Sequence, residues 1–331
     1  MFDLIEMIGK ENIAKGRYWK LPLSLVSGCT RCSPGCTNCW ALAMEKRFNK
    51  GEEGKIQIHP ERLGIPLRRK KPTVFSLWND LFHEDVPQGF IWDALDIMRQ
   101  CPQHIFLILT KRPRRMLEFV TSVAIPNHGV LPNVWLGCTV VNQQEADEKI
   151  PILLQIQAAV RWISIEPMLG EIDLLAVPAK NVSGYAGLKL SDMLHLVIVG
   201  GETGPGARPM KEEWATSIVN QCKAAGVPVF VKQIHCDDKV GNKWKQRVSK
   251  NMDEWPCQLK VRELPEGGEM KIIKVESCIT CPYRLRFTNQ KASSHKLFCC
   301  KLLKDIEDNG NPHYIDPKCP LEDDRETTLW S

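Results

Sequence analysis

The chain has 331 residues, 43% of them hydrophobic and 25% charged, which is the make-up of an ordinary soluble globular protein with room for one large domain and an appendage. A helical membrane protein is excluded, because no apolar run approaches the roughly 20 residues of a span, and residues 1–20 lack the apolar core of a signal peptide, so a cytoplasmic protein that uses no membrane is expected. The formal net charge of +5 is a mild excess, compatible with a polyanionic partner without requiring one.

Residues 1–20 are mixed and carry little signal. A first strand is predicted at Leu23 to Val26, and directly after it four cysteines, Cys29, Cys32, Cys36 and Cys39, fall within eleven residues. The chain has 14 cysteines in all, many for a reducing compartment, so their clustering decides what they are for. Cys32, Cys36 and Cys39 have the spacing C-x3-C-x2-C, which lets one short loop place three thiolates on three irons of a [4Fe-4S] cube and leave the fourth iron open. A structural zinc knuckle built from the pairs Cys29-x2-Cys32 and Cys36-x2-Cys39 is the blander reading, although the gap between the pairs is cramped, and disulfides or inert thiols are a third. Trp40 to Lys50 then reads as a helix, with Ala41, Leu42, Met44 and Phe48 at helical spacing.

This strand, loop and helix unit repeats in outline. Strands are predicted at Thr73 to Trp78, Ile105 to Leu109, Val134 to Val140, Val160 to Ile165, Leu194 to Val199 and Val229 to Val231. Helices are predicted at Ile91 to Arg99, Arg114 to Val120, Gln144 to Ile156 and Lys211 to Ala225. The alternation indicates an α/β fold with a parallel sheet, and seven strands without a dinucleotide fingerprint suit a partial (β/α) TIM-like barrel better than a doubly wound sheet.

In such a fold the residues just after each strand gather on one face. They include Asn79 and Asp80, Lys111 and Arg112, Asn142, Glu166, then Gly200, Gly201, Glu202 and Thr203, and finally Lys232 and Gln233. Polar groups at successive strand ends are where barrel enzymes keep their sites. Each also has a plainer role: Asn79 or Asp80 as a helix cap, Glu166 before Pro167 as a turn, Lys111 as a solvated charge. In the run from Gly200 to Gly206, repeated glycine lets backbone approach a ligand while Glu202 offers a carboxylate to an ammonium or hydroxyl group.

From about Ile234 the pattern changes to a charged, irregular stretch. Cys278-x2-Cys281, Cys299-Cys300 and Cys319 follow, which reads as a zinc knuckle with one of Cys299 and Cys300 spare, an auxiliary iron-sulfur cluster being the rival. A module of that size with so little apolar content needs a metal staple. Residues 1–235 are expected to form the barrel domain, 236–270 an irregular closure or linker, and 271–331 the cysteine-rich module.

Taken together, a three-cysteine loop after the first strand of a (β/α) barrel resembles the radical S-adenosylmethionine (SAM) superfamily. More closely, over roughly residues 20–235, the chain resembles its phage and prophage branch. The motifs are Gly28-Cys29-Thr30, Ser33-Pro34-Gly35-Cys36-x2-Cys39, His59-Pro60-Glu61-Arg62-Leu63, Asp80-Leu81-Phe82-His83-Glu84-Asp85-Val86-Pro87, Leu109-Thr110-Lys111-Arg112-Pro113, Val134-Trp135-Leu136-Gly137, Glu166-Pro167 and Val199-Gly200-Gly201-Glu202-Thr203-Gly204-Pro205-Gly206-Ala207-Arg208-Pro209-Met210. In that branch the triad looks like Cys29, Cys36 and Cys39, whereas the superfamily spacing selects Cys32, Cys36 and Cys39, so the first ligand is Cys29 or Cys32.

The resemblance implies a [4Fe-4S] cluster that binds SAM, an electron donor of flavodoxin or ferredoxin type, and a 5′-deoxyadenosyl radical that abstracts hydrogen. It implies SAM contacts for Asn79, Gly200, Gly201, Glu202 and Thr203, and catalytic or substrate contacts for Asp80, Lys111, Glu166 and Lys232. The branch is associated with base modification in phage DNA, and the expected reaction is isomerisation of 5-Nα-glycinylthymidine to 5-Cα-glycinylthymidine. A radical SAM lyase or methylase acting on a damaged base, RNA or a peptide is the alternative, and a zinc-dependent nucleic-acid-binding module is a further one. Basic runs at Arg68 to Lys71 and Lys111 to Arg115, with ten tryptophans for stacking, agree modestly with DNA.

Overall fold

A computed structural model describes residues 3–48, 54–121, 130–177, 189–240 and 243–265, together with the backbone of 284–286 and 298–300; at 45–48, 237–240 and 243–246 the description is also of backbone. The chain opens with two short helices, α1 (Leu4–Ile8) and α2 (Lys10–Ala14), followed by β1 (Leu21–Leu23) and β2 (Val26–Ser27). Helix α3 (Trp40–Phe48) comes after the cysteine loop, then β3 (Gln57–Ile58) and α4 (Gly64–Arg68). Alternation then becomes regular: β4 (Val74–Leu77), α5 (Gln88–Gln100), β5 (Ile105–Thr110), α6 (Pro113–Thr121), β6 (Val134–Thr139), α7 (Gln143–Leu154) and β7 (Val160–Ile165). Helix α8 (Leu190–Met193), β8 (Leu196–Gly200), α9 (Glu212–Ala225), β9 (Val229–Val240) and β10 (Lys243–Ser249) complete it.

Eight strands form one curled sheet in the order β1-β4-β5-β6-β7-β8-β9-β10. Every pairing from β1 to β9 is parallel, and β10 closes the edge antiparallel to β9, with Ser249 opposite Ile234. The fold is thus mixed α/β with a mostly parallel, half-barrel sheet. Two expectations change in detail. The first strand is divided into β1, which joins the main sheet, and β2, which pairs with β3. The stretch after Ile234 is less irregular than its composition suggests, because β9 runs on to Val240 and turns into β10.

The two faces of the sheet are covered differently because strand side chains alternate. Phe75, Leu77, Phe106, Ile108, Ile163, Ile165, Val197 and Val199 point to the side where α5, α6, α7 and α9 bury Phe90, Ile91, Met116, Ile150, Ile218 and Val219. Those helices form because their apolar residues recur at 3.6-residue spacing, as Ala215, Ile218, Val219 and Cys222 do in α9, which ends at Gly226 in the left-handed conformation. On the opposite face Val74, Ile105, Leu107, Trp135, Trp162, Leu196, Ile198 and Phe230 pack against α1 and Tyr18. Each such side chain stabilises by about 1.5–3 kcal/mol when fully buried. The face is apolar near the amino ends of the strands and, two residues further along β5, β7 and β9, presents Lys111, Ser164, Glu166 and Lys232.

Two compact units are distinguished, residues 1–124 with 130–268, and 125–129 with 269–331. In the second, β11 (Arg284–Arg286) pairs antiparallel with β12 (Phe298–Cys300).

Candidate functional site

The cysteine loop leaves β2 through Gly28, whose φ of +84° and whose crowding against Lys55 O, which an added Cβ would meet at 2.0 Å, both demand glycine. Ser33 then caps a tight turn over Pro34–Cys36 by accepting from Gly35 N at 3.1 Å. Gly35 itself lies against Val141 and Pro167, which an added Cβ would meet at 2.8 and 3.2 Å. Contact with residues just past β6 and β7 seats the loop on the carboxyl ends of the parallel strands.

Both ends of the loop are tied down. At the first, the Thr30 hydroxyl meets His83 Nε2 at 2.7 Å and accepts from Arg112 Nη2 at 2.8 Å. Arg112 Nη1 lies 3.0 Å from Asp80 Oδ2 and 3.9 Å from Cys29 Sγ, and its Nε donates to Glu84 at 2.6 Å. At the second, Asn38 Nδ2 donates to Glu202 Oε2 at 2.9 Å and to Gly206 O at 2.8 Å. The loop is therefore bound to β4 and β5 on one side and to the turn after β8 on the other.

The thiols are not equivalent. Cys32 and Cys36 are hydrogen-bonded to each other, which pulls Cys36 down to about 5 and pushes Cys32 up, one holding the proton for the other. The Lys111 ammonium also favours the Cys36 thiolate. Burial raises the Cys29 thiol, with the Arg112 guanidinium opposing. Cys39 precedes α3 and is half-buried. Among the described residues no group of three or more His, Cys, Asp or Glu side chains is gathered as a metal site.

The other sequence-derived positions fall into distinct roles. Asp80 is 7% exposed, and its carboxylate accepts from Phe82 N, Thr110 Oγ1, Lys111 N and Arg112. It is committed to holding Arg112 and the turns after β4 and β5. Asn79 has φ +63° and donates to Val26 O at 3.0 Å, which joins the end of β4 to β2. Lys111 faces a cleft of about 760 Å³ shared with Glu84, Arg114, Arg115, Glu118 and Lys149.

Glu166, joined to Pro167 by a cis peptide, accepts from Lys232 Nζ at 2.9 Å and Gln233 Nε2 at 3.4 Å. Lys232 lies over the Trp19 ring at 5.4 Å. Glu202 is nearly buried, which by itself raises a carboxyl, yet hydrogen bonds from Arg208 and Asn38 hold it at about 2. The two glycines before it have neighbours already: an added Cβ would lie 2.8 Å from Glu166 Oε1 at Gly200 and 2.5 Å from His235 Nδ1 at Gly201. Their smallness makes room for these side chains. Thr203 is half-buried on the same turn.

His83, Asn38, Arg208 and His235 were not singled out from sequence as site residues. His83 and Arg208 lie inside the long motifs Asp80-Leu81-Phe82-His83 and Gly204-Pro205-Gly206-Ala207-Arg208, which was the available signal; nothing local marks Asn38 or His235. Of the second cysteine set, Cys278, Cys281 and Cys319 lie outside the described residues. Cys299 and Cys300 lie on β12, opposite Leu285 and Arg284, with backbone alone described.

No curated protein and no solved structure matches the chain. A family model described as "Protein of unknown function (DUF5131)" matches residues 18–260, a span that takes in the whole main sheet, the cysteine loop and every tie just described. The chain belongs to the DUF5131 family.

Proposed function

We propose that this protein is a radical SAM enzyme acting on a modified base in DNA, most specifically isomerising 5-Nα-glycinylthymidine to 5-Cα-glycinylthymidine. The observation that carries the reading is the tethering of the cysteine loop over the carboxyl ends of the parallel strands, through Thr30 at one end and Asn38 at the other. On this reading the half-barrel sheet is a partial radical SAM (β/α) barrel.

The donor chemistry fits an iron-sulfur cluster. Thiolates are the ligands such clusters take, and Cys36 and Cys39 with Cys29 or Cys32 would hold one. Arg112 and Lys111 supply positive charge beside the thiols, which suits an anionic group. When bound, the cluster and SAM supply a hydrogen-abstracting 5′-deoxyadenosyl radical on receipt of an electron from a flavodoxin- or ferredoxin-type donor. The chain's own part is to bind, orient and exclude water. Tyr18, Trp162 and Phe230 close the floor of the sheet's open face, Glu202, whose oxygens are taken by Arg208 and Asn38, positions the turn after β8 that would meet SAM, and Glu166 and Lys232 offer both charges to the substrate. Asp80 acts as a positioning residue through Arg112. A target base in a duplex has to be flipped out to reach this face.

The test is iron, sulfide and zinc content of anaerobically purified protein, followed by incubation with SAM, a reductant and DNA carrying the glycinylated base. About four irons with one zinc, or seven to eight irons if the C-terminal cysteines hold a second cluster, and appearance of the carbon-linked isomer are expected. Zinc without iron after attempted reconstitution overturns the radical assignment. Iron and SAM cleavage without the isomer overturns the substrate alone.

A further inference from the structure

Arg262 joins three stretches of backbone. Its guanidinium donates to Ile13 O at 2.8 Å, Ala14 O at 2.7 Å, Val231 O at 3.1 Å, Lys232 O at 3.3 Å and Lys250 O at 2.8 Å. All five acceptors are neutral carbonyls, so the hydrogen bonds are satisfied while the charge is not cancelled. Gly16, with φ +71°, approaches so closely that an added Cβ would lie 2.5 Å from Lys232 O and 3.2 Å from Arg262 Nη2, and the charge of the adjoining Arg17 acts on Lys250. Arg17, Lys232, Lys250 and Arg262 therefore converge where the exit of α2, strand β9 and the end of β10 meet.

The opposing charge is small. Glu166 is already paired with Lys232 at 2.9 Å, and Arg17 and Lys250, both exposed, make no ion pair among the described residues. Desolvation first, then Lys232, Arg17 and Arg262, push the Lys250 ammonium down, with Glu166 pulling the other way. Cations gathered with so little counter-charge repel one another, and an anion seated among them relieves that repulsion. A neighbouring group has an unmet need of its own. Gln233 is 4% exposed; its Nε2 faces two acceptors, Gly201 O at 2.8 Å and Glu166 Oε1, which fixes the amide orientation and leaves Oε1 buried without a donor. A buried acceptor in that state is one that a ligand hydroxyl or amino group can satisfy.

We propose that Arg17, Lys232 and Lys250, gathered around Arg262, form a subsite for a phosphate group of a nucleotide unit. Mixed guanidinium and ammonium donors match the several oxygens of a phosphate, and the exposed Arg17 and Lys250 put the subsite at the rim, where backbone attached to a bound base would run. The oligonucleotide form of this inference rests on the DNA reading above; the phosphate chemistry does not.

The experiment measures fluorescence anisotropy of a labelled single-stranded oligonucleotide at several salt concentrations, and titrates thymidine monophosphate separately by isothermal calorimetry. It uses the full chain, an Arg17→Ala/Lys250→Ala double variant, and Lys10→Ala, an exposed change on α2, as reference. Both residues of the double variant are exposed, and a melting temperature equal to that of the reference verifies folding. We expect the double variant to bind roughly ten-fold more weakly, with a salt slope shallower by about 0.7 for each phosphate it no longer neutralises. Unchanged affinity and slope overturn the subsite and leave the DNA reading standing. Binding of the mononucleotide but not the oligonucleotide, abolished in the double variant, retains the subsite and overturns the DNA reading. No binding of either by the full chain overturns both.

Discussion

Arg112 Nη1 stands 3.0 Å from Asp80 Oδ2, in an ion pair whose side chains are 6% and 9% exposed, and the same guanidinium reaches Thr30 in the cysteine loop. A charged pair this buried is costly to break from one side, because Arg112 would keep only Glu84, 61% exposed, as a counter-charge and the donors gathered on Asp80 would lose their acceptor. The pair transmits the position of β4 and β5 to the loop that carries the cysteines.

Replacing Asp80 by Ala is therefore expected to destabilise the protein by about 3–5 kcal/mol, as is found when one partner of a buried pair is removed. Chemical denaturation measures it. The more conservative Asp80→Asn keeps hydrogen-bonding capacity and is expected to fall between the wild type and Asp80→Ala. A midpoint unchanged in Asp80→Ala would show that the turn after β4 does not hold the loop.

Cys36→Ala and Cys39→Ala are each expected to abolish iron retention and SAM cleavage, since each removes a thiolate common to both candidate triads. Separate Cys29→Ala and Cys32→Ala variants identify the first ligand as whichever loses iron. Full SAM cleavage by either Cys36→Ala or Cys39→Ala would sink the cluster assignment.

Gly137 lies beneath Trp162, and an added Cβ would sit 2.6 Å from the indole ring. Trp162 is 1% exposed and its Nε1 donates to Trp135 O at 3.3 Å, so the ring has little room to retreat. Gly137→Ala is expected to cost about 1–3 kcal/mol by overpacking. A thermal midpoint equal to the wild type would mean that the floor of the open face is plastic.

The buried His104 gives stability a pH dependence with a definite sign. Burial holds its pKa below the ordinary imidazole value; Nε2 lies 3.1 Å from Pro66 O and 3.0 Å from Arg69 O, while Nδ1 is buried without a partner. Folded His104 stays neutral where the unfolded chain takes up a proton. Its contribution is thus present above the unfolded pKa of about 6.5 and is lost as pH falls below it toward the folded value. Melting temperatures between pH 7.5 and 5.5 should decline, and decline less steeply in His104→Gln. Equal slopes in the two proteins would refute the assignment.

Periodicity alone made the α/β alternation legible: predicted strands at Val160 to Ile165 and Ile105 to Leu109 and the helix at Lys211 to Ala225 coincide with β7, β5 and α9 to within a residue or so. Local spacing likewise marked the cysteine loop, Glu166, Glu202 and Lys232, because a strand end followed by a polar residue is a short-range pattern. Not legible was β10, whose charged residues Lys243, Lys245 and Arg247 alternate with few apolar partners yet pair along the whole end of β9. Edge pairing is set by the backbone of a neighbour, which composition does not report.

What the sequence by itself determined is the order of elements and the kinds of side chain delivered to one end of the sheet, both consequences of residue-by-residue preference and hydrophobic period. What only the tertiary structure decided is how those side chains are spent. Asp80, expected as a catalytic or substrate contact or as a helix cap, is bound by four donors; Gly200 and Gly201, expected to let backbone approach a ligand, lie against Glu166 and His235. Asn38 and Glu202 lie 164 positions apart and touch at 2.9 Å. Such commitments depend on distances between segments remote in the chain, and these exist only once hydrophobic burial has closed the loops between them.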